Sequence, residues 1–459
     1  MQIRRLLIYS FALLLCSACA DELDQLPETN ILADNYYTTE SNVETTVTAT
    51  YNELQALYDY YMILWGEIPS DNTYIQAPNS NGGARPLEDF SWTSTTGFVS
   101  SIWENSYEGI FYANTVLEVI EGIRYESEAV KSSRIGEMKF IRGLLYYNLT
   151  TIYGDVPLVL KVYGDPTYAF DDTRTPIAEV NQQIETDLLE AIELLPQNNS
   201  TGRANKFAAR AVLARFYMRE QAFQKAETQL EAIVASGRYS LADMEGLYGV
   251  ENEGNSEDIF SIQYASDLDG KSEGNSYYYY FTRPDNDGGQ GAMAMESALY
   301  DLYETNDRRR ELINETGNVY YIDKWTPSPS TSVGDGGDNH YLVRYADVLL
   351  LYAECLNENG KTTEAATFLN KVRSRAGLGN TTATDQAGMR TAIALERRLE
   401  LVGEGHRWFD LLRTGTAVET MNNFFKNKGT GMTVENYRLL APVPQSEVDI
   451  TAMEQNPGY

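Results

Sequence analysis

Histidine and cysteine are scarce in this chain. Its 459 residues include two histidines, His340 and His406, and three cysteines. A structural zinc site takes roughly four Cys or His ligands, and a serine-type hydrolase needs a positioned histidine as its base. These counts argue against a Cys/His metal site and leave a hydrolytic triad almost no choice of base. We therefore predict neither a metal nor a cofactor.

Positive charge and long apolar runs are also lacking. Lys and Arg number 36 against 66 Asp and Glu, so the net charge is -30. This charge repels phosphate backbones and excludes nucleic acid as a partner. Beyond the first residues, no apolar stretch is long enough to cross a bilayer. What the chain does have is 33 tyrosines, whose flat rings with a polar tip suit surface recognition.

Residues 1–18 predict a secretory signal peptide, with a cationic start, an apolar run and small residues at its end. The sequence Cys16-Ser17-Ala18-Cys19 is similar to a bacterial lipobox, although Cys16 stands where leucine is usual. We predict cleavage before Cys19, acylation of that cysteine, and an acidic tether over residues 19–34. The alternative is an ordinary signal peptide and a soluble secreted protein.

The rest of the chain predicts a mainly α fold. Apolar residues recur at helical spacing over residues 35–57, 102–120 and 135–149. Two later segments, Arg203–Arg238 and Tyr345–Arg375, follow the tetratricopeptide pattern, in which small residues let paired helices approach closely. We expect a scaffold built from such helix pairs.

An interval rich in Gly, Asn, Ser, Asp and Tyr separates these two segments. It contains a predicted strand, Phe260–Tyr264, and a predicted helix around Met295–Leu302, and the remainder is predicted to be loop. Long loops on a rigid scaffold commonly carry recognition. We treat residues 35–459 as one unit with an N-terminal helical part (35–239), a loop-rich insertion carrying a few short strands (240–340) and a C-terminal helical part (341–459).

Three runs in the C-terminal third are distinctive: VRYADVLLLYAE at 343–354, LNKVRSRAG at 369–377, and ERRLEL followed by GHRWFDLLR between 396 and 413. With the lipobox-like start and the ending NPGY, they resemble the SusD/RagB family of outer-membrane nutrient-binding lipoproteins. The resemblance covers nearly the whole chain. It implies four tetratricopeptide-like helix pairs with an inserted ligand-binding region.

The same resemblance implies a function. Members of the family capture a nutrient outside the cell, usually a glycan and in some members a peptide. They pass it unaltered to a SusC-type TonB-dependent transporter for import. We therefore predict a non-catalytic, lipid-anchored glycan-binding protein on the extracellular face of the outer membrane. The alternatives are a peptide-binding member of the family, a surface hydrolase, and a scaffold that binds only proteins.

A glycan binder needs exposed aromatic planes for the C–H faces of sugars and polar side chains for their hydroxyls. The aromatic candidates are Trp92, Tyr277, Tyr278, Tyr279, Tyr280 and Trp325. The polar candidates are Asp71, Asn72, Asn81, Arg85, Arg283 and Asn286. For each of them, the alternative is a role in packing the scaffold.

Other residues are assigned to structure. Trp65, Trp103, Trp408 and Cys355 fall in apolar helical patterns and are predicted to be core residues. His406 lies in a helix-packing signature and is predicted to be structural, and His340 is expected to serve in capping or solvation.

Overall fold

A computed structural model describes residues 36–76, 83–162, 173–266, 273–284, 289–327 and 334–459. The predicted signal peptide, Cys19 and the tether lie outside the described residues. So do two candidate ligand residues, Asn81 and Asn286. In the part that is described, no helix has the length and hydropathy needed to span a membrane.

Helices dominate the fold, as predicted. The α-helices are α1 (Glu40–Ala56), α2 (Met62–Glu67), α3 (Arg85–Glu88), α4 (Gly97–Val119), α5 (Glu128–Tyr153), α6 (Ile177–Leu194), α7 (Lys206–Arg219), α8 (Phe223–Ala235), α9 (Tyr277–Phe281), α10 (Ser297–Tyr300), α11 (Tyr345–Glu358), α12 (Thr362–Arg375), α13 (Gln386–Glu400), α14 (Arg407–Arg413), α15 (Ala417–Lys428) and α16 (Gln445–Ile450). The mainly α prediction is confirmed.

Local sequence explains where the first helix begins. Thr39 is the N-cap of α1, and Asn42 completes a capping box, with each side chain accepting a backbone N–H from the other residue. Such a cap satisfies N–H groups that have no partner within the helix. The side chains that α1 buries, Val43, Val47 and Leu54 among them, recur at helical spacing.

Among the described residues, four helix pairs form the scaffold: α1 with α4, α5 with α6, α7 with α8, and α11 with α12. The last two pairs coincide with the two predicted tetratricopeptide-like segments. Although these two pairs are far apart in sequence, α8 packs against α11. The residues between α8 and α11 therefore form an insertion in the helical scaffold.

Most of the short strands lie in the interval between these two pairs, whereas β1 precedes both pairs in the sequence. The strands are β1 (Thr73–Ile75), β2 (Asp258–Ile262), β3 (Met293–Met295), β4 (Ile313–Thr316), β5 (Val319–Ile322) and β6 (His340–Arg344). One antiparallel sheet has the order β1-β3-β5-β4, and β2 pairs with β6 in another. The predicted strand Phe260–Tyr264 is confirmed in part, because β2 ends at Ile262. The predicted helix over Met295–Leu302 is wrong in part, because Met295 ends β3 and only the single turn α10 follows.

The core residues predicted from helical spacing are buried. Trp65, Trp103 and Trp408 are each at most 3% exposed, and Cys355 is fully buried. Trp65 lies in α2, and the following residue, Gly66, packs closely against the backbone of Gly405. The helical periodicity of the sequence therefore identified these core positions correctly.

A network of buried charges joins the C-terminal helices to the sheet region. Arg344 lies 2.7 Å from both Glu400 and Glu404, and Arg309 lies 2.7 Å from Glu396. These residues are less than about a tenth exposed. The arginines hold the pKa of Glu400 well below its usual range, although burial alone would raise it. Much of the distinctive C-terminal sequence therefore has a structural role.

Candidate ligand-binding site

Aromatic rings from three elements, four of them half-exposed and one buried, meet at one surface. They are Tyr60 and Tyr61, next to α2, Phe98 at the start of α4, and Tyr279 and Tyr280 on α9. We call these five residues the tyrosine cluster. Phe98 is the buried member of the cluster, and the four tyrosines are partly exposed. Two of the predicted ligand contacts, Tyr279 and Tyr280, are thus placed beside rings that were not predicted.

The rings of the cluster pack edge to face or tilted. The Tyr60 centroid lies 5.0 Å from that of Tyr280 and 5.0 Å from that of Phe98. Tyr61 meets Phe98 at 5.5 Å, nearly perpendicular, and Tyr279 meets Tyr280 at 5.0 Å, also perpendicular. Edge contacts of this kind leave ring faces available while fixing the positions of the rings.

A π-helical turn presents Tyr60 and Tyr61. Residues Leu57–Tyr61 form this turn between α1 and α2. The extra residue of a π turn shifts the following side chains around the helix axis, and such turns are frequent at functional sites. Here Leu57 and Tyr58 remain buried, whereas the next three residues are partly exposed, and burial resumes throughout α2.

Asp59 connects this π turn to α9. Its carboxylate accepts the backbone N–H of Ser276 at 2.6 Å and the Ser276 hydroxyl at 3.3 Å. Ser276 immediately precedes α9, so this contact aligns Tyr279 and Tyr280 with Tyr60. Burial raises the pKa of Asp59 to about 6, despite the two hydrogen bonds that lower it.

Trp92 is not available to a ligand, and that prediction is wrong. Its side chain has no exposed surface. Its ring packs on Trp65 and Phe90, and its Nε1–H donates to the Tyr459 hydroxyl at 2.6 Å. The C-terminal residue of the chain therefore helps bury a tryptophan that the local sequence places in a loop.

The tyrosine run of α9 divides between the core and the surface. Tyr277 is 1% exposed and donates to the Tyr58 carbonyl at 2.6 Å, and Tyr278 is 4% exposed. Their predicted ligand contact is wrong in this structure because neighbouring elements cover both rings. Trp325 is half-buried and packs on Phe281, with ring centroids 4.7 Å apart. It does not join the tyrosine cluster.

Asp71 and Asn72 are engaged within the protein rather than facing a ligand. Arg407 and Arg398 pair with the Asp71 carboxylate at 2.8 and 3.0 Å. Arg398 also donates to the Asn72 side-chain oxygen at 2.8 Å, and the Asn72 amide donates to Glu67. Both predicted ligand residues are buried, so their assignment is corrected to a structural role.

Arg85 and Arg283 lie beside the four-stranded sheet. Arg85 pairs with Glu88 at 2.7 Å, and Glu88 accepts the backbone N–H of Ile75 on β1. Arg283 is exposed and donates to Asn314 on β4 at 3.4 Å. Their predicted ligand contacts remain predictions.

The two histidines line a small internal cavity of about 70 Å³ between helices. Burial lowers the pKa of His340 to about 3 and that of His406 to about 4, so both are neutral at physiological pH. The His340 ring stacks on Tyr58 at 5.5 Å, so its predicted role in capping or solvation is wrong. Among the described residues, no group of His, Cys, Asp and Glu is arranged to hold a metal ion.

Sequence reasoning missed Tyr60, Tyr61 and Phe98. Tyr60 and Tyr61 directly follow a predicted helix. In a regular α-helix, consecutive side chains point in different directions, so the sequence did not indicate that these rings reach one surface. The available signal was the density of rings itself, because Tyr58-Asp59-Tyr60-Tyr61 holds more aromatic residues than one core face can bury. Phe98 carried no such signal.

The helix pairs and the tyrosine cluster define a class, namely mainly α proteins of paired helices that present aromatic rings at their molecular surface. Comparison with known proteins supports that class. Residues 308–459 match the SusD family model, and residues 23–218 match a model described as starch-binding and associating with the outer membrane. The chain belongs to the SusD/RagB family.

Individual relatives match over almost their whole length. SusD-like protein P25 of Formosa agariphila is 28% identical, and the match spans 98% of this chain and 97% of the relative. A solved structure described as a laminarin-binding SusD-like protein is 27% identical, with a TM-score of 0.80 over 92% of this chain and all of the other. Surface glycan-binding protein A of Bacteroides fluxus, at 22% identity and a TM-score of 0.79, shares the fold.

Proposed function

We propose that the protein binds a neutral glycan at the tyrosine cluster without cleaving it. The observation that carries this proposal is the convergence of four half-exposed tyrosines from the π turn and α9. Sugars present C–H faces that pack on aromatic rings and hydroxyls that need hydrogen-bond partners. The cluster supplies ring faces and phenolic hydroxyls, and the neighbouring Asp59 adds a carboxylate.

The cluster is suited to binding because its rings are positioned in advance. Tyr60 is held between Phe98 and Tyr280. Asp59 is tied to Ser276 by two hydrogen bonds, which leaves lone pairs on its oxygens for a sugar hydroxyl. A preorganised site loses less conformational entropy on binding. Burial raises the pKa of Tyr280, so its hydroxyl remains protonated and able to donate.

The family supports the ligand class and the wider role. One structural relative is described as laminarin-binding, and one matching family model as starch-binding. On this basis we infer a lipoprotein anchored through Cys19 on the outer face of the outer membrane. It would deliver its glycan to a SusC-type TonB-dependent transporter. Residues 19–34 would then be the tether, and 35–459 the binding unit.

Calorimetric titration of the purified protein with laminarin and starch tests the binding proposal. We expect affinity for at least one glycan, and Tyr60→Ala or Tyr280→Ala should weaken it roughly tenfold or more, since each removes a stacking surface. Tyr112→Ala is the matched control. Tyr112 is a half-exposed tyrosine on α4, about 20 Å along the helix from Phe98.

Two results would contradict the proposal. One is full glycan affinity in both cluster variants when Tyr112→Ala is also unaffected. The other is the steady release of reducing sugar during the titration, because a binding protein leaves its glycan intact. Affinity for peptides in place of glycans would favour the peptide-binding alternative.

The anchoring proposal has its own test. Cys19→Ser should move the protein from the membrane fraction to the soluble fraction of exported protein, because the acylated residue is lost. Cys355→Ser, a change at a buried thiol, serves as the control and should leave the protein in the membrane fraction.

A further inference from the structure

A second aromatic surface lies on the four-stranded sheet. The rings of Tyr300 and Tyr320 stack with centroids 3.9 Å apart and planes 16° apart. The guanidinium carbon of Arg310 lies 4.4 Å from the Tyr300 centroid. Because a stack this close leaves no room between the rings, Arg310 covers the other face of Tyr300. We call these three side chains the Tyr320 stack, since Tyr320 forms its outer end.

The backbone holds this stack on both sides. Tyr320 lies on β5, which forms a hairpin with β4 through a two-residue turn at 317–318. Both turn residues are left-handed, with φ of 59° and 68°, as tight hairpin turns require. Tyr300 ends α10, and Arg310 donates to the Tyr303 carbonyl at 3.1 Å and to the Tyr300 hydroxyl at 2.6 Å. The ring of Tyr320 is therefore positioned before a ligand arrives.

Tyr320 lies on the side of β5 opposite to Tyr321, since neighbouring strand residues alternate between faces. Tyr321 is 4% exposed and its ring lies beside Gly291, in the segment that follows α9. Among the described residues, Tyr300 is the ring that contacts Tyr320, and none of the tyrosine cluster does so. The stack is therefore separate from the cluster.

Polar groups surround the half-exposed ring of Tyr320. Glu315 lies directly opposite it on β4 and is exposed. Asp301, also exposed, is close enough to act electrostatically on the Tyr320 hydroxyl. An aromatic face beside two carboxylates offers both kinds of contact that a sugar ring uses.

We propose that the outer face of Tyr320 is a second carbohydrate-binding platform, which takes a pyranose unit of the same polysaccharide that occupies the tyrosine cluster. The inference rests on the proposed function. Two platforms on one protein raise the affinity for a long chain above that for a short oligosaccharide, because the second contact is intramolecular.

Hydroxyl-radical footprinting of the mature protein, with and without laminarin or starch, tests the platform directly. Oxidation at Tyr320 and Tyr280 is measured by mass spectrometry. We expect a bound polysaccharide to protect both residues. Tyr320 should stay protected in the Tyr280→Ala variant at saturating polysaccharide.

Affinity measurements complete the test. Tyr320→Ala should weaken polysaccharide binding about 2- to 10-fold, while Tyr320→Phe, which keeps the ring and the stack, should bind as the unchanged protein does. Short oligosaccharides made from the same glycan should be affected less than the polymer by Tyr320→Ala.

The outcomes separate the two proposals. Protection of Tyr280 without protection of Tyr320 would overturn the second platform and leave the proposed function standing. Protection of neither residue by any glycan would overturn both. An unchanged polysaccharide affinity in Tyr320→Ala would likewise overturn the platform, and footprinting of the unchanged protein keeps the test valid if the Ala variant folds poorly.

Discussion

At the residue scale, aromatic side chains of similar chemistry take opposite roles in this protein. Trp92 is completely buried and hydrogen-bonded to Tyr459, whereas Tyr280 is partly exposed beside Tyr60. Both belong to stretches whose local sequence suggests surface loops. The difference arises from which distant residues cover each ring, so substitutions at the two positions should affect different properties.

Trp92→Phe should lower stability and leave glycan affinity unchanged. The change removes the hydrogen bond to the Tyr459 hydroxyl and some packing volume, at a cost of about 1–3 kcal/mol. Denaturant unfolding and glycan titration of the same sample measure both properties. Tyr459→Phe breaks the same hydrogen bond from the other side and should cost about 1 kcal/mol. Lost binding at full stability would show that Trp92 contacts the ligand.

At the scale of secondary-structure elements, close backbone approaches hold the site region to the C-terminal helices. The helix α2 follows the π turn that carries Tyr60, and its Gly66 lies against the backbone of Gly405. A Cβ on Gly66 would stand 1.9 Å from the Gly405 carbonyl oxygen, a distance no atom pair tolerates. The π turn is therefore held in position by a contact with residues more than 300 positions later.

Gly66→Ala should destabilise the protein by about 3 kcal/mol, because backbone must move to admit the methyl group. Thermal or denaturant unfolding measures the loss. Gly97→Ala, in α4, is the control, since a Cβ there meets no atom within 4 Å. That variant should be neutral or slightly more stable, because alanine favours helix. Equal stability of the two variants would contradict the close approach.

The buried charge network predicts a large effect at Glu400. Glu400→Gln leaves Arg344, Arg309 and Arg375 short of a counter-charge in the interior, at a cost of about 3–5 kcal/mol. Glu358→Gln is the matched control, because its partner Arg390 is 52% exposed and such a pair contributes about 0–1 kcal/mol. Urea unfolding of both variants measures the loss in free energy of unfolding and shows whether the network contributes it.

At the scale of the whole molecule, two groups of acidic residues have opposite pKa shifts. Burial raises the pKa of Glu53, Glu67 and Glu253 to about 7. It raises the pKa of Asp258 and Asp338 to about 6. By contrast, arginines hold the pKa of three other buried acids below the usual range: Asp347, Glu404 and Asp410.

These shifts predict a stability maximum in mildly acidic solution. Between pH 8 and about 5, the folded state takes up protons at the raised groups that the unfolded chain, with pKa values near 4, does not bind. Stability therefore rises as pH falls through this range. Below about pH 4 the acids with lowered pKa lose their ion pairs as they are protonated, and stability falls. Melting temperatures across pH 3–8 measure the curve, and a steady decline from pH 8 downward would contradict it.

Much of the architecture could be predicted because it depends on local periodicity. Apolar residues at helical spacing identified the scaffold helices, the two tetratricopeptide-like pairs and the core tryptophans Trp65, Trp103 and Trp408. The candidate site was anticipated only in part. Tyr279 and Tyr280, whose ligand contact remains a prediction, belong to a tyrosine run that also contains Tyr277 and Tyr278, which are buried.

The sequence by itself determined the helical class, the pairing of helices and the family, because each rests on patterns within short stretches of chain. The tertiary structure alone decided which rings face solvent and which charges are buried. Trp92 is covered by residues near the C-terminus, Tyr60 meets Tyr280 through a π turn, and Arg344 finds its carboxylates on α13 and just beyond it. Exposure depends on contacts between segments far apart in sequence, and no local pattern specifies them.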